Sequence, residues 1–460
     1  MDKITDEIRV LSTTAILGYG FPIESFKEGM RRKPHVIVAD AGSTDPGPYY
    51  LGAGQSFTDR NSVKRDLSIM IPAGLKAKIP VIVGTAGGSG GSPHVKLTID
   101  IIKEIAKERK LNFKLAVIES ELDKNIVKIQ LKKGKVIPLE PAKPITAKDV
   151  DESVRIVAQI GEEPYIKALN AGADVILAGR SYDPAEFAAL PLKQGFDKAL
   201  ALHMGKILEC AAIAATPGSG SDCLMGYLRR DCFLLSTLSP ARKCTTLSVA
   251  AHTLYEKTNP YILPGPGGAL DLRGTTFTQV NDSTVMVKGT KFVPTEKYFV
   301  KLEGARRIGY RTFSVAGIKD PVMIENIDEI VQKVKDRVKD NFGTYGIKNF
   351  YLDFKIYGRN GVMGIFSGID NRKAHELAVI IDAVAPTQEQ ADTICGFARS
   401  TMLHMGYEGR ISTAGNLAFP FSPSDAHMGA VYEFNIYHLM EVKDPAEPFP
   451  VRYIKINGRK

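Results

Sequence analysis

The first half of the chain alternates short apolar runs with amphipathic stretches. Residues 36–40, 80–84, 115–119 and 174–179 are such runs, rich in Val, Ile, Leu and Ala and bounded by Gly, Pro or charge. Each reads as a buried strand. Between them, 62–77 and 95–107 place Val, Leu, Met and Ile at helical spacing, and 149–160 and 162–171 also read as helices. Apolar strands separated by helices predict a mostly parallel sheet covered by helices on both faces. In sheets of this kind ligands bind beyond the C-terminal ends of the strands.

The pattern then changes. Residues 199–215 form a mostly apolar helical stretch, and 248–256 a second one. Residues 276–292 alternate around Asn281-Asp282-Ser283, as a hairpin does. The remainder mixes strands at 352–357 and 377–384 with helices at 327–338 and 388–405. The predicted fold class is α/β: an α/β domain over 1–245 with Gly-rich strand-end loops, then a smaller α+β part over 246–460. A length of 460 residues suits two or three domains.

Four Gly-rich loops follow strands or helices: 17–22, 40–47, 84–93 and 217–222. Glycine lets backbone amides approach an anion, and a helix N-terminus adds positive potential. The candidate substrate-binding residues are therefore Gly18, Gly20, Ser43, Thr44, Gly87, Gly88, Ser89, Gly90 and Ser219. Arg60 and Arg180 join them as counter-charges for a carboxylate or phosphate. No loop fits the G-x-G-x-x-G dinucleotide fingerprint or the Walker pattern. Gly87-Gly-Ser89-Gly-Gly91 does fit G-x-S-x-G, which makes Ser89 a candidate serine-hydrolase nucleophile. A loop so rich in glycine matches that pattern by chance, so an anion-cradling or structural loop is the favoured reading.

Carboxylates at strand ends are the better catalytic candidates: Asp40, Asp45, Glu119 and Asp183. They suit general acid and base roles, or a divalent cation held by hard oxygen ligands. Asp183 precedes Pro184 and equally suits a helix N-cap. His94, just past the third glycine loop, is the candidate histidine, ahead of His203, His252 and His427. No cofactor is required by any motif, and a divalent metal is compatible with the acids.

Composition narrows the function. Hydrophobic residues are 44% and charged residues 24%, ordinary values for a globular protein. Lys and Arg exceed Asp and Glu by 60 to 51, a net charge of +9. The basic residues are scattered among acids, and the densest run, 128–135, reads as a solvated hairpin or helix end. A nucleic-acid groove needs them gathered, so the excess suggests at most a field favouring a small anionic substrate such as a carboxylate or CoA ester. Five cysteines without C-x-x-C spacing argue against a disulfide framework or zinc ribbon. Trp is absent, which disfavours a carbohydrate site. The N-terminal residues lack an apolar signal core and no run is long enough to span a membrane, so a cytoplasmic location is expected. Gly-rich edges, with Tyr432 and Tyr437, point to a homo-oligomer.

Several stretches carry a family resemblance: 15–22 (Ala-Ile-Leu-Gly-Tyr-Gly-Phe-Pro), 40–52 (beginning Asp-Ala-Gly-Ser-Thr-Asp-Pro-Gly-Pro-Tyr-Tyr), 179–184, 205–210 and 309–321. The chain resembles the acyclic terpene utilisation AtuA-like family from about residue 8 onward, and it is closer to a branch with the D-A-G-S-T-D-P-G-P-Y-Y loop than to the terpene enzymes. The resemblance implies acyl-CoA metabolism by a lyase or hydratase. It also implies a small ferredoxin-like extra domain or a separate small partner protein, and with the chain running to Lys460 a separate small partner is the expectation. The resulting expectation is an enzyme acting on a carboxylate or acyl-CoA substrate by acid/base chemistry. The alternatives are a serine hydrolase using Ser89 and a non-catalytic scaffold for a small partner.

Overall fold

A computed structural model describes residues 6–43, 46–344, 346–347, 349–366, 374–411 and 415–458. The chain forms two compact units, residues 1–306 with 434–460, and residues 307–433.

The first unit opens with β1 (Ile8–Ser12), α1 (Ile23–Arg31), β2 (Val36–Ala39), α2 (Tyr49–Ala53), α3 (Arg60–Ala77) and β3 (Val81–Val83). It continues through α4 (Ser92–Arg109), β4 (Asn112–Ile118), α5 (Lys124–Lys132), β5 (Val136–Pro138), α6 (Ala147–Glu152) and β6 (Ser153–Ala158). Next come α7 (Glu162–Asn170), β7 (Val175–Ala178), α8 (Pro184–Lys193), α9 (Lys198–Leu208), β8 (Leu224–Leu228) and β9 (Cys232–Thr237). Then follow α10 (Thr246–Thr253), β10 (Ile262–Gly265), β11 (Gly268–Asp271), β12 (Thr276–Asn281), β13 (Thr284–Lys288) and β14 (Lys291–Pro294).

Its main sheet has ten strands. The parallel centre runs β1-β2-β3-β7-β4. Antiparallel β8, β9, β13 and β12 extend it past β1, and β19 (Val451–Asn457) closes the other edge against β4. This extension explains why the expected boundary at 245/246 does not match the compact units. The change after residue 215 is a switch from parallel to antiparallel strands within one sheet.

Alternation along the strands serves two cores. Ile37, Ala39, Val81, Val83, Val117 and Leu177 face Leu67, Met70, Ile99 and Ile102 of α3 and α4. Val36, Val38, Ile82, Ile118, Ile176 and Ala178 face Tyr165, Phe187, Leu190 and Leu200 of α7, α8 and α9. Burying one such side chain contributes about 1.5–3 kcal/mol. The strands therefore read as unbroken apolar runs. The helix expected over 149–160 is corrected: α6 ends at Glu152, and 153–158 is a strand paired antiparallel with the start of β15 (Tyr298–Ile318). Val154, Ile156 and Val157 are β-branched and favour the extended state over the helix.

The second unit contains the rest of β15, then α11 (Pro321–Glu325), α12 (Ile327–Thr344), β16 (Tyr351–Tyr357), β17 (Leu377–Ala385), α13 (Gln388–His404) and the start of β18 (Asp425–Val442). β15, β17 and β16 pair antiparallel, and α12 and α13 supply Ile330, Val334, Ile394 and Met402 to its core. This is the expected α+β architecture. All five cysteines are free. Among the described residues no helix is long and apolar enough to cross a membrane.

Candidate functional site

The C-terminal ends of β2, β3 and β7 converge in the first unit. Asp40 follows β2 directly, is 3% exposed, and accepts a 2.9 Å hydrogen bond from the Gly42 amide. After β3 the chain turns at Thr85, which holds a left-handed conformation (φ 42°, ψ 53°). Such a conformation is costly for a β-branched residue and persists only where neighbours fix it. Here the Thr85 amide donates to the Gly179 carbonyl at 3.0 Å, and its Oγ1 accepts from the Ser181 amide at 3.1 Å. The glycine loop after Thr85 lies against β7. A Cβ at Gly90 would overlap the Arg180 backbone, so only glycine permits the approach. Ser120, past the end of β4, fastens the two: its Oγ donates to the Gly90 carbonyl at 2.9 Å and accepts from the Arg180 amide at 2.6 Å.

Arg180 is the hub of the charge network and is 5% exposed. Its Nε donates to Glu303 Oε2 at 2.8 Å, and its Nη1 to Asp183 Oδ1 at 3.0 Å and to the Ser181 carbonyl at 3.1 Å. Lys301 reaches Glu303 at 2.9 Å. Burial works against the Glu303 charge, but Arg180 and Lys301 hold its carboxyl down at about 2. Asp183 keeps a third of its side chain in solvent. Behind it the carboxyls are sealed. Burial, then the Asp183 charge, raises Asp40 well above the carboxylate range. Burial pushes Glu209, at the end of α9, up to about 7, against the opposing charge of its ion-pair partner Lys206. Burial and Asp40 raise Glu186, in the first turn of α8, well above the carboxylate range. Burial and Glu209 push the neighbouring Cys210 thiol up, which removes it as a thiolate nucleophile.

The structure thus brings together Asp40, Asp183 and Arg180 from the expected set. Arg180 is consumed internally: its partners are Glu303 and Asp183, so it orients a carboxylate and has no free face for substrate. Thr44 and Asp45 lie outside the described residues. Ser43 donates its amide to the Gly88 carbonyl at 3.2 Å, which ties the second glycine loop to the third. Gly87 receives the Phe57 amide at 3.1 Å, and a Cβ there would meet His94.

Gly18 and Gly20 do cradle an anion, but it is the protein's own. Their amides donate to Asp66 Oδ2 of α3 at 2.9 and 3.1 Å. Arg60 is on the surface of α3, paired with Glu104 at 2.6 Å. Ser219 accepts from the Ser221 amide at 3.2 Å, in a loop whose Gly220 carbonyl receives Thr14 Oγ1 and the Ala15 amide. Glu119 pairs with Arg452 at the β4–β19 edge, 3.1 Å apart. His94 is fully buried, and its Nε2 contacts the Gln55 and Tyr50 carbonyls at 2.8 and 3.1 Å. Both acceptors place the proton on Nε2. Burial also lowers its basicity, against those two bonds.

Ser89 has φ −125° and ψ −7°, so the strained strand-to-helix corner that a nucleophile elbow needs belongs to Thr85. Among the described residues no histidine bonds Ser89, and no group of three or more His, Cys, Asp or Glu is placed to hold a metal. The expected acid set therefore does not form a metal shell with the described residues alone. His203 is a buried structural group between Thr290 (2.7 Å) and Thr253 (3.1 Å), and burial drops it to about 3. A cleft of about 420 Å³, lined by Glu121, Asp123, Lys128, Asp151 and Arg155, lies past β4 between the start of α5, α6 and β6, and includes none of the clustered carboxyls.

The members missed from sequence are Glu186, Lys206, Glu209 and Glu303. The first three had a signal: charged residues inside stretches otherwise fit to be wholly buried. No curated protein and no solved structure matches the chain. The family model described as "Acyclic terpene utilisation family protein AtuA" matches residues 58–221 and 237–420. The first segment spans β3, β7, α8 and α9, with Arg180 and Asp183 in the turn before α8, Glu186 in α8 and Glu209 at the end of α9, and the second includes Glu303. The match covers most of the chain and agrees with the motifs read from sequence, so this protein belongs to the AtuA family.

Proposed function

We propose that the protein is an enzyme that acts on a carboxylate or acyl-CoA substrate by acid/base chemistry of the lyase or hydratase type. One observation carries the reading: Asp183, a carboxylate reaching solvent, is held by buried Arg180 in front of Asp40 and Glu209, whose charges are restrained by burial. A base that meets substrate and an acid that titrates near neutrality are the pair such chemistry needs. In this reading Asp183 takes the proton from the carbon beside the substrate carbonyl. Glu209, paired with Lys206, gives a proton to the departing oxygen. Asp183 ends the turnover with the proton that sealed Glu209 has lost, and its return to Glu209 closes the proton balance without a redox cofactor. Family membership supports the reading through the acyl-CoA chemistry that the resemblance implies.

The test is incubation of the protein in D₂O with a panel of acyl-CoA esters and their free acids, read by mass spectrometry. Deuterium uptake or addition of water by one member is expected, with at least a hundredfold loss in Asp183→Asn. Full turnover in Asp183→Asn would overturn the assignment.

A further inference from the structure

Behind Asp40 lies a carboxyl that the proposed chemistry does not use. Glu186 is fully buried. Its Oε1 has no hydrogen-bond partner, and its Oε2 has one, the Tyr165 hydroxyl at 3.2 Å. Tyr165 Oη lies 2.6 Å from Ser181 Oγ, and Ser181 Oγ donates to the Gly179 carbonyl at 3.0 Å. Among the described residues no Lys, Arg or His pairs with Glu186. The strongest charged influences on it are Asp40 from the end of β2, then Asp183 from the turn before α8 and Glu209 from the end of α9, all acids. Arg180, the buried cation of the network, is turned to Glu303 and Asp183. The space for the carboxyl is made by Gly84, where a Cβ would overlap both of its oxygens.

Proton counting gives the same answer as burial. If Ser181 spends its proton on the Gly179 carbonyl, Tyr165 must spend its own on Ser181. The Tyr165 oxygen then needs a donor, and Glu186 is the group in reach. A carboxylate there would hold a full charge with one donor at most, away from water and beside other acids, which is the arrangement proteins avoid by keeping the proton. We infer that Glu186 is a carboxylic acid that stays protonated at neutral pH and heads a hydrogen-bonded chain, Glu186–Tyr165–Ser181, beneath the Asp40–Arg180 cluster. It is a positioning residue: it fixes Ser181, whose amide in turn holds Thr85 Oγ1, and it keeps one negative charge out of the cluster. That role rests on the proposed reading of the site, whereas its protonation does not.

The experiment is infrared spectroscopy of the full chain at pH 7, comparing wild type with Glu186→Gln and Tyr165→Phe. The carbonyl stretch of a protonated carboxyl is expected in wild type and lost in Glu186→Gln. In Tyr165→Phe the band should persist at higher frequency, because its hydrogen-bond partner is gone. The melting-temperature advantage of Glu186→Gln over wild type should grow as pH rises from 6 to 9, since only wild type has a buried proton to lose. A wild-type spectrum unchanged by Glu186→Gln, or an advantage constant with pH, overturns the inference. Should Glu186→Gln not fold, Tyr165→Phe decides: a shifted band supports the inference and an unshifted one overturns it. No substrate is needed, so an acyl-CoA panel without turnover would remove the proposed function and leave this assignment standing.

Discussion

Two carboxyls of the first unit, Asp66 and Glu186, are equally sealed from solvent and solved differently. Asp66 sits under the loop after β1 and collects the amides of Gly18 and Gly20 and the Arg65 guanidinium. Glu186 sits under the ends of β2 and β3 with one hydroxyl on one oxygen and nothing on the other. The first arrangement spends backbone donors to hold a charge and so fixes a loop. The second supplies no charge-holding partner and so stores a proton. Burial alone does not tell an acid that holds a charge from one that keeps a proton; the donor count does.

The largest effect that could break this contrast is at Asp66. Asp66→Ala leaves two loop amides and Arg65 without their acceptor, at a cost of about 3 kcal/mol. Urea unfolding should show that loss in midpoint, with Glu186→Gln changing stability far less. Equal losses in the two variants would mean that the donor count does not separate the sites.

Much of this contrast was hidden in the sequence for physical reasons. The parallel sheet was legible, because strands buried on both faces are written as unbroken apolar runs at 36–40, 80–84, 115–119 and 174–179. The glycine cluster at 84–93 was legible as a place of close approach, but its partner, the Arg180 backbone, is a matter of tertiary packing. Gly18 and Gly20 advertised an anion cradle without saying whose anion. Glu303 lies 123 positions from Arg180 along the chain and reaches it only through β15. Glu186, Lys206 and Glu209 were readable in principle: each sits at an end of α8 or α9 in a stretch that is otherwise mostly apolar, where a charged group has no solvent face to occupy. The segment 153–158 misled because a short apolar run fits a helix face as well as a strand when its pairing partner is distant.

A smaller effect sharpens the comparison through pH. Burial holds the folded Glu209 at about 7, above its ordinary value of 4.5. A raised carboxyl binds more protons folded than unfolded, so its contribution is full below about 4.5, falls as pH rises, and levels off past about 7. Glu303, held at about 2, acts oppositely: its contribution is full above about 4.5 and is lost on acidification toward 2. Glu209→Gln should therefore flatten the decline between pH 5 and 7, by about 1–2 kcal/mol, or a few degrees in melting temperature. An unaltered slope would mean that Lys206 outweighs burial and that Glu209 is ionised throughout.

The smallest effect belongs to Arg60, which the sequence placed with the substrate and the structure places on the outer face of α3. Its side chain is exposed and shares Glu104 with Lys64, which also holds Glu108. Removing it leaves Glu104 with a cation in contact. Exposed pairs are worth about 0–1 kcal/mol, so Arg60→Ala should move the unfolding midpoint by less than about 0.5 kcal/mol. Turnover should stay within twofold of wild type. A tenfold fall in turnover with unchanged stability would show substrate reaching across α3. The boundary drawn between architectural and chemical charges would then have to move outward from the strand ends to the helix surface.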